Sequence, residues 1–161
     1  MINKIQPSVH QLHFKEFGST VYLIQIDNQN ILIDTSSKEN QQELLNDLKQ
    51  LNLNPDDINI IIITHKHWDH NRNNNLFENA KVFDFKNIDN LPLKQFKIFK
   101  VPGHSKDSLA FLYNGILFSG DTLFHNGIGR TDLPESEPEK MEESLNKLKS
   151  LDYKILCPGH I

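Results

Sequence analysis

The segment Thr64-His65-Lys66-His67-Trp68-Asp69-His70 constrains this chain more than any other. Three histidines and an aspartate fall within six residues, directly after the apolar run Ile58-Asn59-Ile60-Ile61-Ile62-Ile63. A run of that length reads as a strand, so the fold must carry a strand whose end delivers imidazole and carboxylate groups to one place. Neutral imidazole nitrogen and carboxylate oxygen bind first-row metal ions without redox-sensitive thiols. So many buried imidazoles without a ligand would be costly. With 8 histidines and 12 aspartates in 161 residues, chance produces this pattern with a probability on the order of one in a thousand.

Three more positions share the same logic. His104 lies in Val101-Pro102-Gly103-His104-Ser105, Asp121 in Phe118-Ser119-Gly120-Asp121-Thr122, and His160 in Cys157-Pro158-Gly159-His160. Each follows an apolar segment, and each has a glycine immediately before it. A glycine there lets the backbone turn sharply and bring the next side chain to a shared point. Four strand ends carrying metal-type ligands point to one convergent site.

The rest of the chain reads as strands and helices in irregular alternation. Val21–Ile26 and Ile31–Ile33 flank a short Asp/Asn turn, the pattern of a β-hairpin. Ser36-x-x-Glu39 reads as a capping box, after which Leu44, Leu45, Leu48 and Leu51 recur on one helical face. Asn54-Pro55-Asp56-Asp57 breaks that helix before the 58–63 strand. A short helix is expected over 72–78, and strands over 81–85, 96–101, 108–113 and 115–119. Asn114-Gly115 forms a hairpin turn between the last two. Ser136-x-x-Glu139 with Pro138 opens a second helix, whose apolar face is Met141, Leu145 and Leu148. Lys154-Ile155-Leu156 is the last strand. The hairpins exclude a purely parallel sheet, so the pattern alone gives α/β or α+β.

The length of 161 residues fits one domain, 1–161, with its own core. At 37% hydrophobic and 24% charged the composition is that of a soluble globular chain. No apolar run reaches membrane-spanning length and no signal segment opens the chain, so a cytoplasmic location is expected. The single cysteine, Cys157, excludes an internal disulfide and a thiolate zinc cluster, and it reads as a small buried residue. A net charge of −4 gives no electrostatic case for nucleic acid. The 15 lysines, two arginines and 18 asparagines look like coding bias, so Asn73-Asn74-Asn75 and the lysines of 94–100 are not read as functional tracts.

The ordered set His65-x-His67-x-Asp69-His70, His104, Asp121, His160 resembles the metallo-β-lactamase superfamily. Gly120-Asp121-Thr122-Leu123-Phe124 and Ile128-Gly129-Arg130-Thr131-Asp132-Leu133-Pro134 resemble its glyoxalase II-like branch of hydroxyacylglutathione hydrolases, related thioesterases and persulfide dioxygenases. The resemblance covers nearly the whole chain. It implies a four-layer αββα sandwich, two mixed β-sheets with outer helices, here shortened at the C-terminus. It also implies two divalent metal ions, zinc first, with iron or manganese as alternatives. His65, His67 and His104 would hold one ion, Asp69, His70 and His160 the other, and Asp121 would bridge them. The spacing is compatible, since residues two apart on an extended segment point the same way. Asp69 and His70 fall where the chain leaves the strand and can turn toward another centre.

The implied activity is hydrolysis of a small-molecule thioester or related ester by a hydroxide held between the metals, with Asp69 and Asp121 as the catalytic carboxylates. The alternative within the branch is a persulfide dioxygenase with one iron on His65, His104 and Asp121. Lactonase, β-lactamase, nuclease and non-catalytic metal-binding readings also stand. Asp121 speaks against a β-lactamase, and the missing basic surface speaks against a nuclease.

Other residues carry weaker expectations. Asp34 is read as supporting the ligand loop, Trp68 as packing over the site, and Arg130 with Asp132 as an ion pair holding a loop. His125 either faces substrate or sits on the surface. Three departures from the family pattern stand out. Asn71-Arg72-Asn73 replaces the glycines usual after the Asp-His pair, and Arg72 could meet an anionic substrate group. Asp34-Thr35-Ser36 replaces the usual Asp-Thr-Gly turn. Glyoxalase II proper continues past the equivalent of His160 into a helical region that contacts glutathione. Oligomeric state is not legible.

Overall fold

Asp27 and Asn28 both adopt left-handed backbone, with φ of 50° and 60°, and that geometry closes a two-residue hairpin whose twist matches its strands. The strands it joins are β3 (Val21–Ile26) and β4 (Gln29–Ile33), paired antiparallel with Ile26 opposite Gln29. The computed structural model describes residues 1–161, divided into two units, Met1–Asp84 and Phe85–Ile161.

In the first unit, β1 (Ile2–Gln6) and β2 (Val9–Leu12) precede the hairpin, and β5 (Ile60–Ile62) and β6 (Lys81–Phe83) follow it. The six strands lie side by side in chain order. The pairs from β1 to β4 are antiparallel, while β4–β5 and β5–β6 are parallel. A parallel step needs a crossover, supplied by α1 (Gln41–Gln50). Leu44 and Leu48 of α1 are fully buried against Leu12, Leu23, Leu32 and Ile61. Ile60, Ile61 and Ile62 are all buried, which explains why this strand reads as a continuous apolar run.

Three details differ from the sequence reading. Strands β1 and β2 carried no legible signal, because INKIQ and VHQL lack an apolar alternation long enough to count. The expected capping box at Ser36 does not form. Ser36 sits at φ 64° and accepts a hydrogen bond from Asn40 Nδ2 at 3.0 Å, and a 3-10 turn over Lys38–Asn40 leads into α1 without a side-chain cap. The Asn54–Asp57 break is a 3-10 turn in which Asp57 accepts from the Asn54 N–H at 2.7 Å. The expected 72–78 helix is only a 3-10 turn over Asn74–Leu76, and a one-turn α2 (Trp68–Asn71) precedes that range.

The second unit is built on β7 (Lys97–Lys100), β8 (Leu109–Tyr113), β9 (Ile116–Gly120) and β12 (Ile155–Pro158), in the sheet order β12-β9-β8-β7. β7–β8 and β8–β9 are antiparallel and β12–β9 is parallel. Asn114 and Gly115, at φ 49° and 74°, make the β8–β9 turn as expected. A two-strand ribbon, β10 (Leu123–Phe124) with β11 (Gly127–Ile128), leaves the sheet after β9. Helix α3 (Pro138–Lys149) buries Met141 and Leu148, and Leu148 packs with Val101, Ala110, Leu117 and Leu123. Cys157 is buried, as expected. The expected cap at Ser136 is replaced by a different contact, described below. The six-stranded and four-stranded sheets are both mixed and both units carry helices, which places the chain in the α/β class. No helix is long and apolar enough to cross a membrane.

Candidate metal centre

The parallel pairing of β4 with β5, Ile33 opposite Ile62, brings their carboxyl ends out side by side. Ligands in open α/β sheets collect at such ends. Asp34 follows β4, and Thr64 to His70 follow β5. Asp34 Oδ1 accepts the Thr64 N–H at 2.8 Å. Its Oδ2 accepts the Thr64 hydroxyl at 2.8 Å and lies 2.7 Å from His70 Nδ1. Asp34, Thr64 and His70 are all buried. A carboxylate only accepts, so His70 carries its proton on Nδ1 and presents the Nε2 lone pair. The Thr64 hydroxyl, committed as a donor to Asp34, faces His65 Nδ1 at 3.1 Å as an acceptor. His65 therefore also presents the Nε2 lone pair.

His65 and His67 turn to the same side, as their spacing implies, with His65 Nε2 facing His67 Nδ1 at 2.9 Å. Two nitrogens on one tetrahedral zinc ion lie about 3.3 Å apart. His70 Nε2 is 4.0 Å from Asp69 Oδ2, and ligand atoms of His65 and His70 lie within 4.8 Å of one another. The turn that carries Asp69 and His70 is tied by main-chain bonds. The Ser19 N–H donates to the Asp69 carbonyl at 2.8 Å, and the Thr35 N–H to the His70 carbonyl at 2.7 Å. The half-exposed Trp68 ring lies 5.8 Å from the ring of Phe17. Arg72 is exposed and takes ordinary right-handed backbone.

The second unit repeats the device. β9 and β12 are parallel neighbours, and Asp121 and His160 leave their carboxyl ends. Gly120 makes its exit at φ 52°. His160 Nε2 and His104 Nε2 stand 3.4 and 3.6 Å from the same atom, Asp121 Oδ2. His104 Nδ1 lies 2.7 Å from the Arg130 carbonyl, which fixes the proton on Nδ1 and leaves Nε2 for a ligand. The Ser136 hydroxyl donates to the His104 carbonyl at 2.7 Å. Gly129 packs so closely on the Asp121 carbonyl and the His104 ring that a side chain there has no room.

Arg130 and Asp132 form the expected ion pair, with bonds of 2.7 and 2.9 Å. This bidentate hydrogen bond holds the exposed Asp132 carboxyl below, and the Arg130 guanidinium above, their ordinary ranges. His125 is exposed and lines a cavity of about 490 Å³ with Phe124, Ile128 and His160.

These residues fit a metal ion. The donors are the nitrogen and oxygen types that first-row ions take, and His70 and His104 each have the far nitrogen anchored by an acceptor, which orients a ligating imidazole and raises its basicity. The first unit brings His65, His67, Asp69 and His70 together, and the second brings His104, Asp121 and His160 together. The supporting roles of Thr64, Ser19 and Ser136 were not foreseen. Thr64 alone left a trace, as a hydroxyl directly before the ligand run.

The sequence model of the metallo-beta-lactamase superfamily matches residues 15–85 and 87–160. A Methanocaldococcus jannaschii protein named "Probable metallo-hydrolase MJ0296" is 33% identical over 143 residues, spanning 81% of this chain and 70% of that protein. A hydroxyacylglutathione hydrolase of Xanthomonas axonopodis is 48% identical over 67 residues, 41% of this chain, and the match spans only 26% of the enzyme's length. The crystal structure of TTHA1623 in a di-iron-bound form superimposes with a TM-score of 0.74 at 26% identity, covering 89% of this chain and 87% of that one. With the superfamily pattern running through both units, and candidate ligands at the carboxyl ends of a parallel strand pair in each, this chain belongs to the metallo-beta-lactamase superfamily.

Proposed function

We propose that the chain is a dinuclear metallo-hydrolase that cleaves a thioester or related ester of a small molecule. In this reading both units belong to one domain, as the superfamily match across residues 15–85 and 87–160 supports. His65, His67 and His104 would hold one ion, Asp69, His70 and His160 would hold the second, and Asp121 would be the carboxylate shared between them. Two bound divalent ions would supply a water of lowered pKa and polarise the substrate carbonyl.

The observation that carries the reading is the anchoring of His70 Nδ1 on Asp34 and of His104 Nδ1 on the Arg130 carbonyl. That anchoring belongs to ligating imidazoles rather than to surface histidines. Asp69 orients the attacking water and accepts its proton at the carboxylate. No serine or cysteine nucleophile is needed, which agrees with the burial of Cys157. Zinc is the first choice of ion, and the di-iron form of a 26% identical neighbour makes iron the second. The thioester substrate is supported by the hydroxyacylglutathione hydrolases among the relatives, of which matches span 26% to 48% of the length.

The test is thiol release from S-lactoylglutathione by zinc-loaded protein, with a chelated control. The reading predicts release that the chelator abolishes. Release that survives chelation contradicts it. No release from zinc- or iron-loaded protein removes the thioester assignment, and oxygen uptake by iron-loaded protein with a persulfide replaces it with the dioxygenase.

A further inference from the structure

Two of the positions where glycine is usual in the resembled family face each other here. Ser36, in the turn after Asp34, is fully buried and takes left-handed backbone at φ 64°. That conformation is strained for a residue that carries a side chain. Asn73, three residues after His70, keeps a negative φ, so no glycine is required at that position. What Asn73 contributes is its side chain. Its Nδ2 donates to the Thr35 carbonyl and to the Ser37 carbonyl, each at 2.7 Å, the two carbonyls on either side of Ser36. Only the amino end of a carboxamide can serve two carbonyls, so the orientation of the group is fixed by its partners. The Asn73 N–H also donates to Thr35 Oγ1 at 3.3 Å, and the Arg72 N–H to the Ser36 carbonyl at 3.1 Å.

We propose that Asn73 is a positioning residue that clamps the left-handed Ser36 turn and thereby keeps the Asp34 carboxylate on His70 Nδ1. Asp34 itself sits at φ 61°, so two left-handed residues flank Thr35 and the turn has little intrinsic preference for its shape. The carboxamide supplies the preference from 37 residues beyond Ser36 in sequence, and it does so on the segment that also carries His70. A glycine at position 36 would relieve the backbone strain and make the clamp less necessary. The two departures from the family pattern are thus one coupled exchange.

The test is a double-mutant cycle on the metal-free chain, read by urea unfolding. Asn73→Ala removes the carboxamide donor from the buried Thr35 carbonyl and leaves the Ser37 carbonyl with only the Asn40 N–H at 3.2 Å, and is expected to lower the folding equilibrium constant about 100-fold in the parent. In the Ser36→Gly background the same change is expected to cost about 10-fold or less. Equal losses in both backgrounds overturn the coupling. The positional readout is the downfield proton signal of His70 Nδ1, expected to shift or broaden in Asn73→Ala and to return in Ser36→Gly/Asn73→Ala. An unchanged signal in Asn73→Ala overturns the positioning role. If Asn73→Ala alone does not fold, the double variant decides: folding supports the clamp, and failure of both overturns it. None of these readouts depends on hydrolase activity, so they stand apart from the proposed function.

Discussion

Asp34 Oδ2 lies 2.7 Å from His70 Nδ1, with both side chains buried. The same carboxylate accepts the N–H and the hydroxyl of Thr64, and Thr64 in turn faces His65. One carboxylate therefore sets the tautomers of two candidate ligand histidines. Asp34→Asn keeps the size and the tolerance for left-handed backbone but removes the charge that raises imidazole basicity. Zinc affinity, measured by chelator competition, is expected to fall by roughly 10- to 100-fold. An affinity unchanged from the parent's would remove Asp34 from the account.

Gly129 is a matter of space rather than backbone freedom. A Cβ there would run into the Asp121 carbonyl and touch the His104 ring. Gly129→Ala is expected to destabilise the fold by about 1–3 kcal/mol through overpacking and to lower bound metal by displacing two candidate ligands. Urea unfolding with metal analysis of the purified variant checks both. Parent-like stability would show that the loop yields freely.

Ser136 tests where a helix-start signal goes when it does not cap. Its hydroxyl holds the His104 carbonyl at 2.7 Å, and Glu137 precedes α3 without a side-chain cap. Ser136→Ala is expected to cost about 1 kcal/mol while helix content by circular dichroism stays at the parent's value. A loss of helix would restore the capping role.

Arg130 contributes its carbonyl, not its guanidinium, to His104. Its side chain is paired with Asp132 in the open, where an ion pair contributes little. Arg130→Ala is expected to leave the unfolding midpoint and the metal content unchanged. A drop in metal content would give the side chain a part in holding the loop over His104.

What could be read from the chain alone follows from sequence distance. His65 to His70 are contiguous, and His104, Asp121 and His160 each follow an apolar run and a glycine, so local pattern exposed the full candidate ligand set. Gly120 at φ 52° justifies that signal, whereas Gly159 has no positive φ and its role is the main-chain bond to the Gly120 carbonyl. The hairpins at Asp27-Asn28 and Asn114-Gly115 were legible because their residue types favour the required backbone. The capping boxes at Ser36 and Ser136 failed because other partners, the nearby Asn40 side chain and the distant His104 carbonyl, took those residues instead. Strands β10 and β11 are two residues long, too short for any periodicity. The Ser36–Asn73 clamp was invisible because it joins residues whose conformations are set only once the chain has folded.

The most direct test of the account is the number of metal ions bound by the parent and by Asp121→Ala after zinc loading and desalting. The account predicts two equivalents in the parent and no more than one in the variant, because Asp121 is the carboxylate assigned to both ions. A parent that binds none, or a variant that still binds two, would contradict it.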